Sequence, residues 1–192
     1  MEIENYIVAS DSTLVEMVLG GDSKAFEYLF NRYRGSIQQL YLQRTGGNAE
    51  DADDLLQETF IKVYLNLHRY DNSYTFGQWI YAIARNTFVD FMRKRRDDLS
   101  IDVIPSENYA ASTSSTLTPE ESIINSQQKT QLEQFLERMP PRYRKLVELR
   151  FFRELSYEEI AEQMEMPMGT VKTQIHRART QLCRLILESG IL

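Results

Sequence analysis

Cysteine and histidine are nearly missing from the 192 residues: Cys183 is the single cysteine, and His68 and His176 are the two histidines. A disulfide framework is therefore impossible, and no Cys/His zinc set can be assembled. Apolar runs are short as well. The longest stretch without a charge, Asn72 to Ala84, falls short of a bilayer's width, and the N-terminus MEIENYIVAS has neither a basic start nor an apolar segment. These absences point to a soluble, cytoplasmic chain with no direct membrane insertion. Glycine and proline number 8 and 5, and 42% of residues are apolar against 26% charged, which argues against collagen-like and wholly disordered chains. The length allows one large domain or two small ones. No alternating apolar pattern occurs either, so strands are not expected and the fold class is all-α.

What is present is charge sorted into patches. The formal net charge is -6, an average that usually disfavours nucleic acid, but it hides sharp local differences. Residues 97 to 125 hold six acids and no base. Five acids and no base lie between Asn48 and Phe60, five bases and one acid between Arg85 and Arg96, and four bases and no acid between Met168 and Arg184. The acidic segment includes NYAASTSSTLTPEE and has no sustained apolar period, so 97–125 reads as a flexible linker between a domain over 1–96 and another over 126–192.

In the first domain, Phe26, Leu29, Phe30, Tyr33, Ile37 and Leu40 form a helical stripe, with Asp22 as N-cap and Gly46-Gly47 as the stop. A second helix starts at Ala49 and buries Ala52, Leu55, Leu56, Thr59, Phe60, Val63 and Leu67. A third, from Phe76 to Arg96, has the stripe Phe76, Ile80, Ile83, Ala84, Thr87 and Phe91. In the second domain, Leu132, Phe135, Leu136 and Met139 precede a break at Pro140-Pro141, after which Leu146, Leu149 and Phe152 mark another helix. Ser156 and Glu159 then fit a capping box opening a short helix that must end before Pro167. The last helix carries Val171, Ile175, Ala178, Leu182 and Leu185. A short helix, a tight turn and a longer helix make a helix-turn-helix pattern.

The exposed faces carry the chemistry. Opposite the last stripe lie Lys172, Thr173, His176, Arg177 and Thr180, a basic and hydrogen-bonding face suited to a major groove. The third helix interleaves Tyr81, Arg85, Phe88, Met92 and Arg96, with Asn86, Asp90 and Arg93 on another side. Aromatic and basic residues together suit unstacked single strands, although the same spacing also fits a structural polar cluster. The second helix is two-sided: Ile61 and Leu65 sit opposite its core stripe beside Asp54, Gln57 and Glu58, which calls for a second neighbour, either another helix of its domain or a partner protein. Asp51, Asp53, Asp54 and Glu58 have no histidine, glycine-rich loop or nucleophile beside them, so neither a metal site, a cofactor site nor an enzyme is expected.

Three ordered motifs give these pieces a common frame. DADDLLQETFIKVY (51–64), FGQWIYAIARNTFVDFMRKRR (76–96) and MPPRYRKLVELRFFRELSYEEIAEQMEMPMGTVKTQIHRARTQL (139–182) resemble those of bacterial extracytoplasmic-function (ECF) sigma factors of the sigma-70 superfamily. The resemblance implies a promoter-specificity subunit with no small-molecule substrate. Its core RNA polymerase surface, meeting the largest subunit's clamp helices, would be Asp51, Asp53, Asp54, Gln57, Glu58, Ile61 and Leu65, and its C-terminal domain would meet the flap. The -10 element would be read, with a flipped base, by Asn72, Ser73, Tyr74, Thr75, Tyr81, Arg85, Asn86 and Arg93. The -35 element would be read by Thr170, Lys172, Thr173, His176 and Arg177. The acidic linker would thread toward the active-site and RNA-exit channels, and an anti-sigma factor would be a further partner. Two departures stand out: Glu165 where relatives commonly have Gly in the turn, and Thr173-Gln174 in place of a more usual Ser-Arg pair. A duplex-only helix-turn-helix regulator or a protein adaptor would not need the first two motifs.

Overall fold

The computed structural model describes residues 2–97, 132–153 and 155–188, and among these it contains helices and no strand. The expected linker, apart from Asp97, lies outside the described residues. Nine helices are named here: α1 (Glu2–Val8), α2 (Asp11–Leu19), α3 (Ser23–Arg44), α4 (Ala49–Asn66), α5 (Phe76–Asp97), α6 (132–137), α7 (Pro141–Val147), α8 (Tyr157–Gln163) and α9 (Met168–Glu188). The first two were not foreseen. In α2, Ser10 accepts a hydrogen bond from the Thr13 amide as N-cap while Leu14, Val15 and Val18 are buried.

The remaining helix limits follow their local chemistry. Asp22 caps α3 by accepting from the Lys24 amide, and Gly46 and Gly47 end it with φ values of 67° and 88°, a region that costs glycine little. Asn48 caps α4, whose first turn carries Glu50 and Asp51 at the positive end of the helix dipole. At the start of α5 the Thr75 hydroxyl accepts from the Gln78 amide while the Gln78 side chain accepts from the Thr75 amide, a reciprocal cap.

Helices α3, α4 and α5 enclose an aromatic core. Phe26 meets Tyr64 edge-on at 5.0 Å, and Phe30 meets Phe60 at 4.6 Å. Each ring of this kind contributes about 1.5 to 3 kcal/mol through burial. One polar tie crosses it: the fully buried Tyr41 hydroxyl lies 2.5 Å from Thr59 Oγ1 and 2.9 Å from the Ala84 carbonyl. Burial pushes this phenol's pKa up.

In the C-terminal half, Pro141 starts α7 at a position where its missing N–H is not needed. Arg144 donates to the carbonyls of Leu136 and Glu137, which lie at the end of α6. Beyond α7 the chain widens into a π-turn over Glu148–Phe152. This corrects the expected stripe: the wider turn shifts the register, Leu149 stays buried and Phe152 is left 48% exposed. The Ser156–Glu159 capping box opens α8 as expected. The two halves touch. Helix α9 packs on α3 and α4, and Tyr64 lies 6.2 Å from Phe135 between ring centres.

Candidate functional site

The turn between α8 and α9 sets the basic face. Met166 N–H donates to the Ala161 carbonyl and Glu165 N–H to that of Glu162, the paired bonds of a Schellman closure, with Glu165 at φ 50°. Glu165, standing where the resembled family commonly has Gly, thus takes the left-handed conformation, at a cost of about 1 kcal/mol relative to glycine. Val171, Ile175, Ala178 and Leu182 bury one side of α9, which leaves Lys172, Thr173, His176 and Arg177 exposed and Thr170 half-buried. Thr173 donates its hydroxyl to the Gly169 carbonyl, leaving its lone pairs outward.

The loop before α5 is ordered by its own side chains. Asp71 Oδ1 accepts from the Ser73 amide and hydroxyl, which holds the Asp71 carboxyl below its ordinary range, and Tyr70 donates to the Tyr74 carbonyl. Asn72, Ser73, Tyr74 and Thr75 are exposed, Tyr74 at 66%, above Tyr70, Phe76 and Trp79, whose rings lie 5.4 to 5.6 Å apart. Thr75 is engaged as the cap of α5. Along the helix Arg85 and Asn86 are exposed and Tyr81 is half-buried, while Arg93 pairs with Asp90 at 3.2 Å.

The acidic face of α4 is occupied. Asp51 pairs with Arg95 of α5 at 3.2 Å, and exposed Asp53 accepts from Gln38 at 2.7 Å. Asp54 takes the Arg179 guanidinium and lies 3.0 Å from His176 Nδ1. The same Nδ1 lies 3.3 Å from Arg179 Nη2, so this nitrogen serves one of the two, carrying a hydrogen toward Asp54 or offering a lone pair to Arg179. Gln57 accepts from Thr180 at 3.2 Å. Glu58, 9% exposed, receives Arg150 at 3.1 Å and Lys62 at 3.2 Å, with Arg179 at 3.8 Å. Ile61 is fully buried and Leu65 half-buried. The second neighbour of this two-sided helix includes the chain's own C-terminal half.

Members of the three expected sets therefore meet. A cleft of about 950 Å³ is lined by Asp51, Asp54 and Glu58, by Arg93, and by Lys172 and His176. The loop residues 72–75 and Tyr81, Arg85 and Asn86 are not in its wall. Sequence reasoning missed Arg150 and Arg179. Both stand four residues after a buried stripe position, Leu146 and Ile175, which places a base on the inward side and was a readable signal. Burial works against the Arg179 charge, yet Asp54, Tyr157 and Glu58 together hold its pKa above the ordinary value. Among the described residues no group of three His, Cys, Asp or Glu side chains is arranged for a metal, and no helix is long and apolar enough to cross a membrane.

Comparison with known proteins gives this geometry a family. The family model for Sigma-70 region 2 matches residues 29–97, and that for Sigma-70, region 4 matches residues 129–182. The ECF RNA polymerase sigma factor SigW of Bacillus subtilis (strain 168) is 34% identical over 173 residues, which cover 88% of this chain and 92% of that protein. The chain belongs to the ECF sigma factors. A second relative of this sigma factor, the ECF RNA polymerase sigma-E factor of Escherichia coli (strain K12), is 33% identical over 175 residues, covering 88% of the chain and 91% of the relative. Of solved structures, CnrH in complex with the cytosolic domain of CnrY aligns with a TM-score of 0.39 at 22% identity, covering 93% of this sigma factor and 97% of that chain. The region 2 match begins inside α3 and ends with α5, and the region 4 match takes in α6 to α8 and most of α9.

Proposed function

We propose that this sigma factor is a promoter-specificity subunit that binds core RNA polymerase and directs initiation by reading -35 duplex and -10 single-stranded DNA. Family membership supports the class of function. The observation that carries its DNA-reading part is the exposed basic face of α9, Lys172, Thr173, His176 and Arg177, held by a buried stripe behind a capped helix and a tight turn. Residues 1–96 form the polymerase-binding and -10 domain, 97–125 the linker and 126–192 the -35 domain. The face of α4 from Asp51 to Leu65 takes the clamp helices, and the C-terminal domain takes the flap. Exposed Asn86, with Arg85, the half-buried Tyr81 and the 72–75 loop, takes the unpaired -10 strand, where a flipped base stacks on an aromatic face.

The protein itself does no chemistry on this reading; the polymerase does, in the cytoplasm, and an anti-sigma factor is the restraining partner. The test is run-off transcription by core polymerase, with and without the sigma factor, on upstream DNA from its own genome. Discrete new starts are expected. Absence of both core binding and specific starts would leave a duplex-only regulator as the better description.

A further inference from the structure

Resting on the reading that α9 meets the -35 duplex, we propose that Met166, in the turn between α8 and α9, is a site of reversible oxidation by peroxide. Its conversion to the sulfoxide lowers -35 binding.

The sequence concentrates thioethers at this turn. Three of the chain's seven methionines, Met164, Met166 and Met168, fall within five positions. All three are half-buried, whereas Met139 of the C-terminal core is 2% exposed. Sulfur this near the surface is within reach of a small oxidant, which converts it without a metal or cofactor. The one cysteine is a poor competitor, because Cys183 is 7% exposed and burial pushes its thiol up to about 11, leaving little thiolate near neutral pH.

Packing alone would be served as well by leucine. What singles out Met166 is a cation at its sulfur: Arg142, exposed in the first turn of α7, donates from Nη2 to Met166 Sδ at 3.0 Å. A thioether is a weak acceptor, so this contact contributes little as it stands. Oxidation strengthens it. A sulfur lone pair attacks one oxygen of hydrogen peroxide, and the S–O bond forms as the O–O bond breaks. Hydroxide leaves and takes the proton of the transferred hydroxyl, so the products are sulfoxide and water; sulfur gives up two electrons and the peroxide accepts them. The Arg142 guanidinium steadies the leaving hydroxide, then donates to the sulfoxide oxygen in a charge-assisted bond.

The turn has little slack to absorb this. Met166 packs against the hydrophobic core, its N–H closes the turn on the Ala161 carbonyl, and its neighbour Glu165 already sits at φ 50°. A sulfoxide is polar, so the oxidised side chain gives up apolar contact in favour of Arg142. Helix α9 begins two residues later, with Thr170, Lys172 and Thr173 in its first two turns. The segment that aims these residues is the one that oxidation shifts, while the core of α3, α4 and α5 is left alone.

In the experiment the full-length sigma factor is treated alone with limiting hydrogen peroxide, quenched, and assembled with untreated core polymerase. Peptide mass spectrometry is expected to show sulfoxide at Met166 severalfold sooner than at Met17 and Met92, which are also half-buried. The assembled polymerase is expected to bind -35 duplex about fivefold more weakly, with recovery after methionine sulfoxide reductases of both stereospecificities. Met166→Leu should keep the untreated affinity and lose most of the response, and Met166→Gln should bind weakly without oxidant. Even oxidation of all half-buried methionines, undiminished -35 binding once Met166 is oxidised, or a full response in Met166→Leu would overturn the proposal. So would a collapse of the melting temperature on oxidation, since the change would then not be local. If the untreated assembly fails to bind -35 duplex, the reading of α9 falls and the effect on DNA with it; selective sulfoxide at Met166 would then still uphold the oxidation site, and its absence would overturn that too.

Discussion

The core of the N-terminal bundle and the seam between the two halves are both buried, but they are made of different materials. The bundle core stacks Phe26, Phe30, Phe60 and Tyr64, and its Tyr41 hydroxyl is satisfied by Thr59 and Ala84. The seam sets Asp54 and Glu58 against Arg150 and Arg179 and leaves two guanidinium nitrogens without hydrogen-bond partners among the described residues. A dry, satisfied core resists being opened by anything short of unfolding. A desolvated ion cluster gives up much less on hydration, so it marks the place where a folded chain can come apart without losing its helices.

The strongest way to break this comparison is at Phe60. Phe60→Ala removes a ring from a site 1% exposed, and a loss of about 3 to 5 kcal/mol in chemical denaturation is expected. A loss under about 1 kcal/mol would mean that the bundle is not the rigid half. Next comes Glu58→Gln, which takes the charge away from Arg150, Arg179 and Lys62. Its cost should stop near 3 kcal/mol, because opening returns the arginines to water. Probes on α5 and α9 should move apart while the far-ultraviolet circular dichroism stays constant; an unchanged distance would contradict this.

Smaller effects sharpen the contrast by leaving both cores alone. Arg177→Ala should weaken -35 duplex binding by the polymerase-bound sigma factor by about 1 to 3 kcal/mol, with no change in melting temperature. Equal affinity in a titration would remove Arg177 from the reading face. Asn86→Ala should reduce permanganate-reactive thymines in the -10 region while core binding is spared, and normal reactivity would count against its role. The smallest change is Glu165→Gly, expected to raise stability by no more than about 1 kcal/mol by relieving the left-handed residue. A loss of stability would indicate that the Glu165 side chain matters more than its backbone.

Much of this was legible before the fold was seen, because the helices are long and their stripes regular. Asp22, the Gly46-Gly47 stop, the Ser156 capping box and the turn at Glu165 all announce themselves through local chemistry. Periodicity failed where local rules were bent. The π-turn at Glu148–Phe152 shifts the register by which Phe152 was assigned inward, and α1 and α2 were too short to show a stripe. The basic face of α9 is exposed, as its sequence pattern suggests, whereas the acidic face of α4 is largely engaged with Glu58 buried, and their meeting depends on pairs such as His176 and Asp54, 122 positions apart. No local spacing encodes that, although bases at Arg150 and Arg179 on inward positions hinted that a buried acid had to exist.

The Tyr41 hydroxyl has a consequence for how the bundle comes into being. It touches Thr59 on α4 and the Ala84 carbonyl on α5, 43 positions along the chain, so both of its hydrogen bonds are present only when all three helices have arrived. A partly assembled bundle missing α5 keeps the Thr59 contact but lacks the Ala84 acceptor, so the complete set of partners forms only with the complete bundle. Amide hydrogens around Thr59 and Ala84 should therefore exchange together and last, at the rate set by global unfolding, so that the two helices assigned to polymerase and to the -10 strand share one folding event.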